Sequence, residues 1–392
     1  MRAPEFRRLL HNGHGRAILY ARRRSVKRFR KIILHACLHC HADPDLEGTR
    51  ASFMLDLLEG LPDREFYIDA VLASLSEPND DVNTLQRFRF AADLASAGHP
   101  TAKRRMYECF APGPRYGESI ATDFVDLDGL AGFLYAAAKI GALLESEIAG
   151  QVDTGWLMSR GHHELGEDFL DAALLEASKK DSRLAAFRNR AESDAVRFPR
   201  PKRPIEPSPS ELESAAHEFL AATDSVNQRR LLRLFFKHRF PFDPLPLIVL
   251  AESPDRDVAL SATRALMQVD HPAVRALAFR LVRSGSPVRM KAVAILDRNF
   301  SPGDHRTVLD WYAAEEDRNM LHSMDVKDFW KNHPGDATEL EMLRARYEKE
   351  PCSFCRTHVV RRLIALGAFT EEMRAECAFD SSYETSELAA GR

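Results

Sequence analysis

Apolar residues recur along this chain at three- and four-residue steps, the period of a helix face rather than of a strand. Ile18, Val26, Phe29, Ile33, Cys37 and Cys40 form one such stripe, with Arg and Lys on the positions between, and predict a long amphipathic helix over about Arg16–Cys40. Asp43-Pro44-Asp45 closes it, because proline cannot continue the helical ladder and Asp favours the next N-cap. Further helices are predicted over Leu46–Leu58, Glu65–Leu75 and Val82–Ala97, joined by short Pro, Gly and Asp turns. Leu130–Leu144 is rich in Ala and Gly, so neighbouring backbones can approach it closely, which predicts a central, buried helix. Trp156–Glu167 reads as a loop and Asp168–Arg190 as one or two helices. No stretch alternates with period two between hairpin turns. The fold class expected is all-α.

The pattern repeats itself after thirty residues in the C-terminal half: Val258, Ala262, Ala265 and Leu266 fall on Val288, Ala292, Ile295 and Leu296. Ser253-Pro254 and Ser286-Pro287 introduce the two copies, and Cys355-Arg356, Val359, Leu363, Leu366 and Gly367 read as a third. This register resembles the second helix of HEAT repeats, clearest over about residues 240–390. The resemblance implies an α-solenoid of stacked antiparallel helix pairs, a HEAT-like or armadillo-like superhelix, in which each pair buries its apolar side on its neighbours. Such arrays mostly bind protein or nucleic acid along one face. They often carry an Asp–Arg ladder between repeats; Arg289 and Arg356 match its basic member, Ala259 does not, and Glu350 is the acidic candidate. Glu371–Ala390 is expected to cap the stack as a degenerate pair.

Aligning the three helices leaves one narrow polar stripe among apolar directions: Ser261, Arg264 and Gln268, then Lys291 and Arg298, then His358 and Arg361. The stripe holds no acid. It predicts an inner surface for a protein or peptide partner of acidic character, or for a phosphate backbone; paired with acids from adjacent loops, the same stripe would be an ordinary solvated face. Partner-binding candidates are therefore Arg264, Lys291, Arg298, His358 and Arg361.

Five prolines between Phe198 and Pro209 cannot sit in a helix interior. They mark a boundary and predict an N-terminal helical-repeat segment over 1–195, a proline-rich linker over 196–210 and a C-terminal HEAT-like segment over 211–392. Ser210 with Glu213 is a capping box for the next helix. The chain's 392 residues, 45% hydrophobic and 29% charged with net charge −3, suit a soluble protein with a sizeable core and exclude a generic polyanion binder. No apolar run approaches the roughly 18 residues of a membrane span, the N-terminus lacks the apolar core of a secretory signal, and six cysteines in such a length fit a reducing, cytoplasmic setting. Charge is uneven, however: residues 1–31 hold nine Arg, two Lys and only Glu5 as an acid. Arg22, Arg23 and Arg24, with Tyr20 and Phe29 nearby, are candidates for nucleic-acid contact.

Candidate chemistry is confined to a few clusters. Cys37, Cys40 and His41 lie at i, i+3 and i+4, able to face one zinc ion from a helix; the same run has the Cys-x-x-Cys-His spacing of haem attachment, which needs an exported chain. Cys37 and Cys40 also lie on the apolar stripe, where cysteine serves as a small hydrophobe. Cys352 and Cys355 form a second pair, with a thiol or metal role set against simple core filling. A site shared by both pairs would need the solenoid's ends to meet. His162-His163-Glu164 lacks zinc-protease spacing. Asp123, Asp126 and Asp128 precede Gly129 without the spacing of a calcium loop, and Leu127 and Leu130 suggest a buried helix start. Nucleotide-binding and nucleophile-elbow motifs are missing. The expectation is a non-catalytic interaction scaffold without a required cofactor.

Overall fold

The computed structural model describes residues 1–42, 49–77, 81–113, 116–144, 154–197, 207–284, 286, 288–316, 324–334 and 337–392. Every regular element among these residues is a helix. Asp43-Pro44-Asp45 and the core of the proline-rich stretch, 198–206, lie outside the described residues. Two compact units result, one of Met1–Lys202, Cys352–Thr357 and Phe369–Arg392, the other of Arg203–Pro351 and His358–Ala368.

The first unit opens with α1 (Ala3–His11), α2 (Arg16–Arg23) and α3 (Arg30–Leu38). The single helix expected over Arg16–Cys40 is therefore broken. Arg24 is extended, and a short 3-10 turn over Lys27–Phe29 re-enters the helical path. The break lets Val26 and Phe29 both turn inward to burial, and it leaves Arg22 and Arg23 in the last turn of α2, where the helix dipole favours them. Next come α4 (Ala51–Glu59), α5 (Arg64–Ser74), α6 (Val82–Ser96), α7 (Ala102–Cys109), α8 (Gly117–Asp128) and α9 (Leu130–Leu144). In α9 a side chain at Gly132 would strike the Phe124 carbonyl, and one at Gly141 the Arg183 carbonyl, so its small residues do admit neighbouring backbone. The run Trp156–Glu167 is not a loop: α10 (Gly155–Leu165) covers it, burying Leu157 and Gly161 one turn apart. Gly161 is small because Leu170 and Phe133 lie against it, and that packing role made the segment look loop-like. The unit continues with α11 (Glu167–Ser178) and α12 (Ser182–Arg197).

The second unit starts earlier than the prolines suggest, with α13 at Pro209–Ala221. Its capping box is Ser208 with Glu211, not Ser210 with Glu213, and Pro209 occupies the first turn, where a missing N–H costs nothing. There follow α14 (Ser225–Leu232), α15 (Leu245–Ala251), α16 (Arg256–Leu266), α17 (Pro272–Arg283), α18 (Ala292–Arg298), α19 (Asp304–Ala314), α20 (Met324–Asn332) and α21 (Glu339–Lys349). Each helix from α14 to α16 touches the next but one, as do α16 with α18, α18 with α20 and α19 with α21. Several cross-links share one offset: Arg229–Asp257, Arg280–Glu252, the His271 amide to Asn299, and His305 to the His333 carbonyl all span 28 residues, and Arg275–Asp304 spans 29, while others range from 23 (Arg362–Glu339) to 36 (Lys349 to the Ala313 carbonyl). All the apolar positions of the first two sequence copies are buried.

The last helices are α22 (Ser353–Ala365), α23 (Glu371–Cys377) and α24 (Tyr383–Ala389). In the third copy Cys355, Val359 and Leu363 are buried, but Leu366 is exposed beside a left-handed Gly367 that ends the helix. The pair α23–α24 belongs to the first unit, where α23 packs on α2, instead of capping the C-terminal stack. Arg356 anchors it. This side chain is fully buried; its Nε donates to Asp380 Oδ2 at 2.7 Å, and Nη2 reaches Asp380 Oδ1 at 3.1 Å and the Asn12 and Gly13 carbonyls at 2.8 and 3.2 Å. Glu350, the acid expected for it, binds Arg346 at 2.9 Å. Around the knot, Arg16 pairs with Glu376 at 2.5 Å, the Ser381 amide donates to the Gly13 carbonyl, and Arg50 reaches Ser353 and Ser381. Gly13 is left-handed (φ 62°), and a side chain there would overlap Ser381.

Removing one partner of a buried ion pair strands the other, at about 3–5 kcal/mol. Asp380→Ala is expected to lower the stability of the first unit by that order in urea unfolding of the full chain, with Arg356→Lys giving little relief because an ammonium cannot make the four directed bonds. A loss under about 1 kcal/mol would mean that the knot is dispensable.

Candidate functional site

The structure assembles metal-ligand side chains in the first unit, though not the predicted set. His11 at the end of α1, His35 on α3 and His41 just beyond α3 bring one ligand atom each to within 4.8 Å of one another. Among the described residues this is the only such group of three. The His11 and His41 rings stack with centroids 3.5 Å apart, and His35 lies 5.4 Å from His41. His11 and His41 are half-buried and His35 is exposed. Burial first, then His39 and Arg7, hold the His35 imidazole below its ordinary pKa, which favours the neutral ring. The segment bearing His41 is fixed from α6: Asn83 accepts the Cys40 amide at 3.0 Å, and the buried Gln86 donates to the Ala36 carbonyl at 2.7 Å and the His39 carbonyl at 3.3 Å.

Of the predicted ligands Cys37, Cys40 and His41, only His41 takes part. Helix α3 ends at Leu38, so the i, i+3, i+4 geometry is lost beyond it. Cys37 points into the core with no exposure, and burial pushes its thiol far above the ordinary value, which disfavours the thiolate a metal needs. Cys40 Sγ lies 3.9 Å from the Ala42 carbonyl. Cys352 and Cys355 are buried, with the Cys355 amide donating to Cys352 Sγ at 3.3 Å, and none of the six cysteines is in a disulfide. On α10, His162 pairs with Asp171 and His163 with Glu164, each at 3.0 Å and near solvent. His11 went unnoticed because it is far away in sequence; only the packing of α1 on α3 delivers it.

Several N-terminal arginines serve the fold. Arg22 lies over the Phe379 ring, Arg28 binds the Met1 carbonyl and the Tyr20 hydroxyl, and Arg30 stacks on Phe66 and faces Asp63. Arg23 and Arg24 stay exposed.

In the second unit two hollows take up part of the predicted basic stripe, Gln268, Arg298 and His358. One, of about 420 Å³, is formed by Gln268 beyond α16, Asp297 and Arg298 of α18, and Asp328 and Lys331 of α20. It does contain acids, and Asp297 is engaged by His333 at 2.9 Å and Asn332 at 2.8 Å. The other, of about 350 Å³, has an apolar floor of Val326, Trp330, Met342, Leu343 and Val359. Its rim carries Lys327, Lys331, His358 and Arg362, with Glu339 bound to Arg362 at 2.7 Å. Lys331 belongs to both. Trp330 is 6% exposed and its indole Nε1 is buried without a hydrogen-bond partner. Of the predicted residues, Arg298 and His358 line these hollows. Arg264 instead lies near the Phe236 ring, Lys291 is half-buried in a 3-10 turn, and Arg361 points out while Arg362 takes the rim. Compared with known proteins, the chain matches no family model, no curated protein and no solved structure.

Asp123 is the most displaced carboxyl with a defined neighbourhood. It sits mid-way along α8, which stops at the positive-φ Gly129; Asp126 and Asp128 lie in its last turn, and the next helix starts at Leu130. Burial pushes its pKa up to about 7 against the pull of Arg89, whose guanidinium is 2.5 Å away, with Asp126 and Asp93 adding to the rise. The native state then holds a proton that the unfolded chain releases near its ordinary value of about 3.9. Stability from this group is complete at low pH and falls as pH rises through that window, levelling off above about 7. Asp123→Asn should remove this slope and leave the variant the more stable of the two at pH 8 by an amount on the order of a few kcal/mol. Urea unfolding at several pH values measures both; parallel profiles would refute the assignment.

Proposed function

We propose that the second unit is a HEAT-like α-solenoid that binds an acidic peptide segment of a protein partner along α16, α18, α20 and α22, with one apolar side chain seated over Trp330. Alternate-helix contacts and the recurring offset of 28 residues support the repeat architecture, since each helix pair then meets an equivalent pair in an equivalent register. The repeat is shorter than the about 40–47 residues usual for HEAT units; helices as short as the seven residues of α15 and α18 account for the difference.

The observation that carries the binding reading is the cavity over Trp330. The floor supplies apolar area for an anchor residue, the kind of pocket in which binding energy concentrates. Lys327, Lys331 and Arg298 supply cationic partners on either side, which favours acidic flanking residues and speeds encounter. No described helix is long and apolar enough to cross a membrane. With several of the N-terminal arginines engaged internally, the peptide reading is favoured over a nucleic-acid one.

Display selection on the full chain is expected to enrich peptides with an aromatic or branched residue beside Asp or Glu. By fluorescence anisotropy, Lys331→Glu and Arg298→Glu should each weaken the selected peptides about tenfold or more. Trp330→Ala, which removes the apolar floor, should weaken them about tenfold or more. Enriched peptides indifferent to all three changes would overturn the proposal, as would selection of nucleic-acid-competed binders.

A further inference from the structure

We infer that His11, His35 and His41 form a binding site for a borderline divalent transition metal, zinc, copper or nickel in class. Three imidazole nitrogens from two helices and the segment after them converge within 4.8 Å, and neutral imidazole is the ligand these ions prefer. In a tetrahedral site with bonds of about 2.0–2.1 Å, ligand nitrogens stand about 3.4 Å apart. The present spacing therefore needs a closure of up to about 1.4 Å, within reach of side-chain rotation. His35 is exposed, and the stacked His11 and His41 rings, 3.5 Å apart, rotate out of their stack on binding, because a bound ion lies in the plane of each ring. Three protein ligands leave a fourth position for water.

The surroundings are built, not incidental. Ligand histidines need an outer layer that fixes their backbone, and here Asn83 and Gln86 hold the segment from Ala36 to Cys40 through its amide and carbonyl groups. His41 follows directly. Gln86 has no exposure, and its Oε1 also accepts the Arg50 amide at 3.1 Å, so this layer is continuous with the polar knot around Arg356. Three clustered imidazoles next to Arg7 have no carboxylate among the cluster's ligands, which gives the site a preference for ions that accept nitrogen donors over hard, oxygen-seeking calcium or magnesium. Thiolate is excluded from the set: Cys37 is in the core, and Cys40 lies outside the group.

The inference is independent of the peptide proposal, because the histidines belong to the first unit. Zinc titration of the purified full chain by calorimetry is expected to give about one equivalent per chain, and saturating zinc should raise the melting temperature, as any ligand of the native state does. His35→Ala, an exposed change that leaves the fold intact, should weaken binding about tenfold or more and abolish the thermal shift, and His41→Ala should do the same. Cys40→Ser and His162→Ala should bind as the wild type does. Cobalt substitution should give ligand-field bands without a sulfur charge-transfer band. Binding below about a tenth of an equivalent, unchanged affinity in His35→Ala, or a thiolate band would each overturn the assignment.

Discussion

The Arg356 guanidinium loses all of its water on folding, and the polar groups around it take over that water's role. Asp380 supplies the counter-charge and the Asn12 and Gly13 carbonyls supply further acceptors, and the two come from opposite ends of the first unit's sequence. A buried charge tolerates little misplacement of its partners. The turn between α1 and α2, the entry to α22 and the loop after α23 are thereby set in one arrangement. Gly13 and Gly15 follow from it, since a side chain at either would collide with the returning C-terminal segment. The α1 position that this fixes is also the one that brings His11 to His35 and His41.

The second unit is held together differently. Its cross-links are mostly nearer the surface, Arg229–Asp257 and Arg280–Glu252 among them, and each of this kind contributes on the order of 0–1 kcal/mol. Burial of Ala262, Ala265, Ala292 and Ile295 between layers carries more of the stability. Between these helices lie the two hollows that share Lys331.

What could be read from the sequence followed from local periodicity. The helix class, the span of α9 and the buried positions of the copies at Val258 and Val288 all depend on residues a few places apart, and all are found in place. What could not be read depended on distant residues. Leu366 kept the register but lies past the end of α22. Trp156–Glu167 looked like a loop because Gly161 yields space to Phe133 and Leu170. The Cys-x-x-Cys-His run attracted notice for its spacing, yet α3 ends within it and turns one cysteine into core. Of the site residues, His41, Arg298 and His358 were visible by type and spacing; His11, Trp330, Lys327, Lys331 and Arg362 gain meaning only from helices that pack against their own.

The Arg356 knot also orders events in time. Its acceptors at Asn12 and Gly13 leave the ribosome more than three hundred residues before the guanidinium that binds them, and the whole run from Arg203 to Pro351 emerges in between. The first unit must hold α1 and α2 without their final partners until Phe369–Arg392 arrives. Contacts of such sequence separation form slowly. The half-finished first unit, with its α2 surface still waiting for α23, is the nascent species most in need of chaperone cover.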